Sequence, residues 1–409
     1  MHTQLLRVAA ATLLAVAASA QGRVWIVDAA GGGNFTDLPA AAAVATHGDL
    51  LVVLPGFYSP FATDQGIAVL GQGAVRIRGY VPWFRGLVEV TALPAGRTFS
   101  MRNVTIEHFA LNDGIVLAND DGRVHLHDVR VGPQPNSSTE FIGPALAATS
   151  CRSVTVTGCT LRGGSGIAAT DSRLVVSSSS VAGIDALAQL GGSISDAGAG
   201  LVVTRGSVHL SRSDATGGAG LTTMLWSERP REAIFATDAA LTLTGDASTS
   251  VRAGALAGSP PLAAIIANGG TLHVDPAVAV QGTQGGPPIS GSARVITRRI
   301  VSLFAAGGQL GGPVNVEIVS PAGDALALLL SVPIDPVPTA LGAVYFDPLA
   351  ALGLVFGAAQ NASEHFAFGF TFPNLPQLRG VPIVLQAANY YRATSFLELS
   401  NPVVLVLDE

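Results

Sequence analysis

The residues best suited to acid–base or metal chemistry lie close together in the first third of the chain. Paired titratable groups within hydrogen-bond distance of a substrate perform general acid–base catalysis, and glycoside hydrolysis needs two carboxyl groups no more than roughly 9.5 Å apart. Neighbouring aspartates are the oxygen ligands that Ca²⁺ prefers. The candidate catalytic residues are Glu107, His125, His127 and Asp128, and the candidate metal ligands are Asp120 and Asp121.

The same segment also fits a purely structural interpretation. Asp120-Asp121-Gly122 has the composition of a tight turn, and the polar residues after it are typical of a solvent-exposed strand. On this interpretation no cofactor is expected, and Ca²⁺ is the alternative.

A second candidate surface lies in an insert between strands, at residues 221–232. Trp226 can stack on a sugar ring, with Arg229 and Arg231 beside it, and His209 lies one repeat earlier. These four are the candidate substrate-binding residues. The alternative is that Trp226 packs the insert onto the rest of the protein.

These residues lie on a repeat of short strands. Seven segments alternate an aliphatic residue with another, mostly polar one, at intervals of about 20 to 34 residues, which is typical of a solenoid that tolerates insertions on one side. The segments are Val104–Glu107, Val124–His127, Val154–Thr157, Leu174–Ser177, Val208–Ser211, Leu241–Thr244 and Leu272–Asp275.

Alternation assigns the two faces of each strand. Val124 and Leu126 point inward, whereas His125 and His127 point outward. In this alignment Glu107 lies one coil from His127, about 4.8 Å away.

The aliphatic register skips one residue after each repeat, as at Val129, which predicts a bend into a second strand. A third apolar strand precedes several repeats, so each coil is expected to contain three strands, as in a right-handed parallel β-helix.

The N-terminal residues predict a cap for this stack. Phe35-Thr36-Asp37-Leu38-Pro39 followed by an alanine-rich run is typical of a helix start with a Thr or Asp cap and proline in the first turn. With Val27-Asp28-Ala29, Gly31-Gly32-Gly33-Asn34, Gly48-Asp49, a buried strand at residues 50–54, Pro55-Gly56 and Tyr58, this opening resembles that of the pectin-lyase-like family. The resemblance covers about 40 residues and implies the parallel β-helix fold.

Enzymes of that family act on acidic polysaccharides along one outward face, so the resemblance also implies an alternative function. Polygalacturonases use an Asp-Asp pair, but their Gly-His-Gly and Arg-x-Lys motifs are missing here, as is the Asp-Phe-x-Phe-Gly run of pectin methylesterases. The leading hypothesis is a non-catalytic β-helix protein that binds glycans or a surface. The alternative is a polysaccharide lyase or glycoside hydrolase acting on an acidic polysaccharide.

The two cysteines are not expected to form a disulfide. Cys159 occupies an inward position of the repeat, and Cys151 lies in the turn before the same strand. A strand rises about 3.3 Å per residue, which places the two residues beyond the roughly 7 Å limit for bridging.

The final hundred residues have a different pattern. About nine strands, without a coil period and separated by Gly, Pro and Asn, predict a small antiparallel β-sandwich. In Phe366–Phe372 every second residue is phenylalanine, which predicts one core-facing side. Asp335, Asp347 and Glu364 are interpreted as turn residues. The predicted organisation is a signal peptide at 1–20, the capped β-helix at 21–297 and the sandwich at 298–409.

Composition and charge limit the classes of binding partner and the location of the protein. With 48% hydrophobic residues, 12% charged residues and a net charge of −6, the chain is expected to fold and not to bind nucleic acid. A short N-terminal region containing Arg7, an apolar run at 8–17 and Ala18-Ser19-Ala20 predict cleavage of a signal peptide. The other apolar runs are too short to span a bilayer. We expect a secreted or cell-envelope protein without a transmembrane segment in the mature chain, whose partner is a polysaccharide or cell-surface glycan.

Overall fold

The computed structural model describes most of the chain from residue 22 to residue 408. The described ranges are 22–79, 85–108, 112–133, 143–188, 194–222, 227–283, 285–320, 325–339, 342–347, 352–359, 365–391 and 396–408. The predicted signal peptide lies outside them. No helix among these ranges is both long and apolar enough to cross a membrane.

Three long sheets of parallel strands make up the part of the protein before residue 298. Sheet 1 has eleven strands: Val24–Val27, Leu50–Val53, Ala68–Gly71, Thr98–Arg102, Arg123–His127, Ser153–Thr157, Arg173–Ser177, Ser207–Ser211, Ala240–Thr244, Thr271–Val274 and Arg294–Thr297. Sheet 2 has nine: Gly56–Tyr58, Val75–Arg78, Thr105–His108, Arg130–Pro133, Thr160–Gly163, Ser180–Gly183, Asp214–Thr216, Ser250–Arg252 and Ala279–Gln281. Sheet 3 has nine: Phe61–Thr63, Gly86–Thr91, Asp113–Ala118, Leu146–Thr149, Ile167–Thr170, Leu201–Thr204, Ile234–Thr237, Ile265–Asn268 and Ile289–Ser290.

The chain visits the three sheets in turn, so each circuit is one coil of a solenoid-like stack. Asp113–Ala118 of sheet 3 leads to Arg123–His127 of sheet 1, then to Arg130–Pro133 of sheet 2, and the next strand returns to sheet 3. Each strand pairs in parallel with the equivalent strands of the coils before and after it. The inward aliphatic residues form one continuous buried core. The predicted coil of three strands is therefore present.

Two sharp corners recur in each central coil, one before and one after the strand of sheet 1. Residues there adopt positive φ although most of them are not glycine, and the corner after sheet 1 has Asp128 at 53°, Ser178 at 50° and Gly158 at 66°. This left-handed conformation, which is unfavourable for residues with a Cβ, turns the chain within a single residue. It accounts for the skipped register that the sequence displays at Val129.

The corner after sheet 1 also satisfies buried backbone amides through a ladder of side chains. Val129 N donates to Cys159 Sγ, Cys159 N donates to Ser179 Oγ at 3.1 Å, and Ser179 N donates to Ser213 Oγ at 3.0 Å. Cys151 and Cys159 lie in different corners and both are buried free thiols. Burial raises the pKa of each thiol to about 12, so neither is a reactive nucleophile.

A short helix, Leu38–Val44, covers the first coil. Asp37 caps its N-terminus by accepting a hydrogen bond from Leu38 N, and a proline occupies the first turn. Leu38 and Ala41 are fully buried against the first coil. The helix therefore shields the end of the solenoid core, in agreement with the predicted cap.

The residues after 300 form small antiparallel sheets, which we call the C-terminal module (302–408). One sheet comprises Ser302–Ala306, Pro313–Val319 and His365–Thr371. The second comprises Leu352–Ala359, Ala325–Ser331, Pro382–Tyr391 and Phe396–Val406, and Pro333–Thr339 pairs with Gly342–Phe346. A 3₁₀ helix spans Pro376–Leu378. Two further two-stranded sheets, Leu187–Ala188 with Ile194–Ser195 and Leu221–Thr222 with Ser227–Glu228, belong to inserts between coils.

The module differs from the prediction at Asp335, which is not a turn residue. It lies in the strand Pro333–Thr339, and its carboxylate is 3.1 Å from Arg123. Phe396–Val406 is a single long strand in which the Asn401 side chain accepts a hydrogen bond from Leu303 N at 2.9 Å and donates one to Leu303 O at 2.8 Å. Glu364 lies outside the described residues.

The prediction also placed the first repeat in the wrong sheet. Val124 pairs with Phe99, not with Val104, so Thr98–Arg102 is the strand of sheet 1 in that coil. Residues 104–107 belong to the next part of the coil, and Thr105–His108 is a strand of sheet 2. The prediction fails here because both sheets present aliphatic inward residues.

The C-terminal module packs against the outward face of sheet 1. Val175, which points outward from the coil, is buried with Tyr345 and Phe346 of the module. Nearer the N-terminus, Val406 is buried against Leu50 and other residues of the first coils. Gly380 makes a close approach possible, because an added Cβ would lie 3.0 Å from Leu50 Cδ1. One of the three outward faces of the solenoid is thereby covered by protein.

Candidate functional site

His125 lies beneath this cover. Only 2% of the residue is exposed, and Nδ1 lies 2.6 Å from Thr155 Oγ1 on the next coil. Burial lowers the pKa of His125 to about 3, so the ring is neutral at physiological pH. A polymer on the surface cannot reach this side chain while the C-terminal module is in place.

His127 joins the solenoid to the module. Its Nδ1 accepts a hydrogen bond from Val406 N at 3.1 Å, and Nε2 is 3.5 Å from Asp128 Oδ2. Burial lowers the pKa of His127 to about 4 despite the nearby carboxylate. Beside it the buried Arg102 guanidinium donates to Gly308 O at 2.8 Å and to Val406 O. His127 and Arg102 therefore satisfy backbone groups of the C-terminal module.

Glu107 is not a neighbour of His127. In the observed register Glu107 lies opposite Gly132 in sheet 2, whereas His127 lies opposite Arg102 in sheet 1. The Glu107 carboxylate forms a 3.1 Å ion pair with Arg76. The expected contact was wrong because it depended on the misaligned first repeat. Asp128 is the one catalytic candidate with a half-exposed side chain, and it occupies a positive-φ corner.

Asp120 and Asp121 point in different directions. Asp120 is fully buried, and its Oδ1 accepts a hydrogen bond from Leu93 N at 2.9 Å. Burial raises the pKa of Asp120 to about 6. Asp121 is exposed. One carboxylate therefore closes a corner inside the coil, and the other faces solvent.

The predicted binding residues have different environments. Trp226 lies outside the described residues. Arg229 and Arg231 are exposed on the insert, and Arg231 is 3.7 Å from the Glu232 carboxylate. His209 is a half-buried residue of sheet 1 whose Nε2 lies 2.8 Å from Thr244 Oγ1.

A large cleft lies between the first coils and the C-terminal module. It has a volume of about 670 Å³. Its charged lining is entirely basic, and the rest consists of glycine, small hydroxyl residues and aliphatic or proline side chains such as Leu50, Val332 and Pro382. The basic lining residues are His47, Arg97, Arg123 and Arg379.

Three of these residues, Arg123, His47 and Arg379, are held in position by other contacts. Arg123 Nη1 is 3.1 Å from Asp335 Oδ1, while its Nε and Nη2 donate to Thr98 Oγ1 and Gly96 O at 3.1 Å. His47 Nδ1 accepts a hydrogen bond from Gly66 N at 2.8 Å, so the proton of the neutral ring is on Nε2. Arg97 is exposed at the mouth. Arg379 Nε is 3.6 Å from Asp408 Oδ1, so Asp335 and Asp408 each partly neutralise one of the lining arginines. Guanidinium groups at the cleft still suit an anionic ligand, and the exposed Arg97 is the most accessible of them.

Sequence reasoning missed the cleft. Arg97 and Arg123 are far apart from Arg379 in sequence, and no motif connects them. They converge because the segment after the 3₁₀ helix docks on the first coils through Gly380. The chain's few charged residues are the only signal that could have singled out these arginines.

A scan against models of protein families found no match, and a search of curated proteins found no similar sequence.

Proposed function

We propose that this chain is an exported, non-catalytic glycan-binding protein, built as a right-handed parallel β-helix of the pectin-lyase-like type with a C-terminal β-sandwich. The observation that supports glycan binding most strongly is the basic cleft of about 670 Å³ between the two parts. The ligand class that fits it is an acidic glycan, whose carboxylates pair with Arg97, Arg123 and Arg379.

The composition of the cleft suits a sugar chain in two respects. Guanidinium groups bind carboxylates through paired hydrogen bonds, and Arg123 is already oriented by Asp335. Aliphatic and proline side chains such as Val381 and Pro382 supply apolar surface for the C–H faces of the rings.

The placement of the catalytic candidates favours binding over catalysis. His125 and His127 are buried under the module, and Glu107 lies on another sheet. General acid–base catalysis requires groups within hydrogen-bond distance of the substrate. The candidates do not form a shared accessible site.

A binding experiment with matched variants tests the proposal. Purified mature chain is titrated with a polyuronate oligosaccharide and with a neutral glucan of equal length. We expect saturable binding of the polyuronate alone, weakened at least tenfold by Arg97→Ala. Arg130→Ala removes the same charge from an exposed position on sheet 2 and should leave the affinity unchanged. Absence of polyuronate binding, or equal losses in both variants, would contradict the proposal.

One recess favours the alternative, a lyase or hydrolase. Arg102, Asp128 and Asp408 line a polar cavity of about 390 Å³ next to His127. If this recess cleaves polysaccharide, incubation with a polyuronate releases unsaturated or reducing ends, and Asp128→Asn abolishes that release. We expect no release from the unsubstituted protein.

A further inference from the structure

A cluster of metal-binding side chains lies at a different junction between the solenoid and the C-terminal module. Asp246, Glu317 and His365 each offer a donor atom, and these atoms all lie within 4.8 Å of one another. It is the one group of three or more such residues found among the described ranges. Its members come from three distant parts of the chain, so their proximity results from tertiary packing.

Each member is positioned by the element that carries it. Asp246 follows the sheet 1 strand Ala240–Thr244, in a tight turn where its Oδ1 accepts a hydrogen bond from Ser248 N at 2.8 Å. Glu317 and His365 lie on adjacent antiparallel strands of the module. The His365 Nδ1 atom is 2.9 Å from Glu317 Oε1. Two ligands therefore belong to the module and one belongs to the solenoid.

An arginine next to the cluster orients one of the carboxylates. Arg212 Nη1 donates to Glu317 Oε2 at 2.6 Å, and its guanidinium lies 5.0 Å from the centre of the Phe304 ring. Because Arg212 occupies Oε2, the other oxygen of Glu317 faces His365. Carboxylate ligands of metals are commonly held by such hydrogen bonds from a second residue. Arg212 and Glu317 also line a neighbouring recess of about 630 Å³ that leads to solvent.

The donor set indicates which ion fits. One imidazole nitrogen and two carboxylate oxygens match Zn²⁺, which binds such ligands tetrahedrally at roughly 2.0–2.2 Å and accepts water in the fourth position. Ca²⁺ requires six to eight oxygen ligands, and this cluster contains a nitrogen. Two ligands of one tetrahedral Zn²⁺ are roughly 3.4 Å apart. The three donor atoms, all within 4.8 Å of one another, are close to that spacing.

We propose that Asp246, Glu317 and His365 bind one Zn²⁺ ion, which fastens the C-terminal module to the solenoid. The charges agree with this assignment, because two carboxylates against one guanidinium leave a net negative charge for the cation. A ligand that binds only the folded, docked protein stabilises that state. The site is independent of the glycan cleft, which lies among the first coils.

The experiment uses the mature full-length chain, freed of metal by dialysis against a chelator. Zn²⁺ is titrated by calorimetry, and the melting temperature is measured in chelator and in Zn²⁺. We expect one Zn²⁺ per chain and a rise in melting temperature that Ca²⁺ does not reproduce. His365→Asn and Asp246→Asn should each weaken Zn²⁺ binding at least tenfold, and His273→Asn, which alters a histidine outside the cluster, should not.

Melting in chelator distinguishes ligand loss from misfolding, because His365 is exposed and its substitution should leave the metal-free melting temperature unchanged. Co²⁺ substitution supplies a second measurement, since tetrahedral coordination gives strong visible absorption that His365→Asn should remove. Absence of Zn²⁺ binding would overturn the proposal. Binding that persists undiminished in both cluster variants, or that is lost in His273→Asn, would also overturn it.

Discussion

Sheet 1 and sheet 2 are built from the same repeat, yet their outward residues have opposite environments. On sheet 2 the outward side chains of Arg130, Thr160 and Ser180 are exposed. On sheet 1 the equivalent polar side chains are buried, as His125, Thr155 and Ser177 illustrate. The C-terminal module causes the difference, because it packs on the outward face of sheet 1. The position of a residue on a solenoid strand therefore does not by itself determine its accessibility.

This comparison also explains the chemistry of the two faces. A histidine on an open face titrates in water and can contact a polymer. His125 and His127 are instead neutral because burial lowers their pKa values. The acceptor nitrogen of His127 is already bonded to Val406 N. The accessible charged side chains instead lie at the edge of the covered face, in the basic cleft.

The largest effect should come from placing a charge beneath the module. Val175 points outward from sheet 1 and is 3% exposed, against Tyr345 and Phe346. Val175→Asp should lower the free energy of unfolding by about 4 kcal/mol, because the carboxylate is buried without a partner. Val202→Asp places the same substitution on the outward side of sheet 3, at a half-buried position that the module does not cover. We expect Val202→Asp to lower the free energy of unfolding, measured by urea denaturation, by only about 1 kcal/mol. Equal losses in the two variants would show that sheet 1 is not covered.

An intermediate effect should appear as pH dependence. The pKa of His127 is about 4 in the folded protein, against 6.5 in a model peptide. Between these values the unfolded chain binds the extra proton, so the contribution of His127 to stability is complete above pH 6.5 and is lost as the pH falls towards 4. The expected loss is about 3 kcal/mol.

Burial has the opposite effect on Asp120. The pKa of this carboxyl is raised to about 6, so the folded state holds its proton more tightly and gains stability on acidification. The contribution of His127 is therefore measured as the difference in unfolding free energy between the unsubstituted protein and a His127 variant, at two pH values. His127→Asn, whose Oδ1 can accept from Val406 N, should match the unsubstituted protein at pH 7 and exceed its stability at pH 4.5 in urea denaturation. A constant difference at the two pH values would contradict the buried, neutral ring.

The smallest effect should come from the corner where the covered and open faces meet. Gly158 occupies the positive-φ position there, and an added Cβ would lie 2.6 Å from Asp128 Oδ1. Gly158→Ala should cost about 1–2 kcal/mol because of the left-handed backbone. The exposed Asp128 side chain can move, so the clash adds little. Thermal unfolding at pH 7 measures the cost, and a stabilising effect would show that the corner is not tightly left-handed.

The coil was predictable because alternation and length are local properties of the sequence. Aliphatic residues such as Val154 and Val156 identify the inward face, and the skipped position at Gly158 marks the corner. The first repeat was misassigned because Val104 and Ile106 display the same pattern while belonging to another part of the coil. Periodicity shows that a residue points inward without showing which sheet contains it.

The candidate site was less predictable because it depends on docking between distant segments. A ladder containing Thr155, Ser177 and Thr244 is typical of an open strand surface, although all three are buried. Arg123 becomes a cleft residue only because Asp335 and the segment around Gly380 reach the first coils. No local pattern encodes that arrangement.

The most direct test of the account is a crystal structure of the mature chain with a polyuronate oligosaccharide. We predict density for the sugar in the cleft, with carboxylates paired to Arg97, Arg123 or Arg379, an unbroken chain of sugars and the C-terminal module still covering His125. An oligosaccharide bound along the exposed face of sheet 2 or sheet 3, or cleaved beside Asp128, would contradict the account.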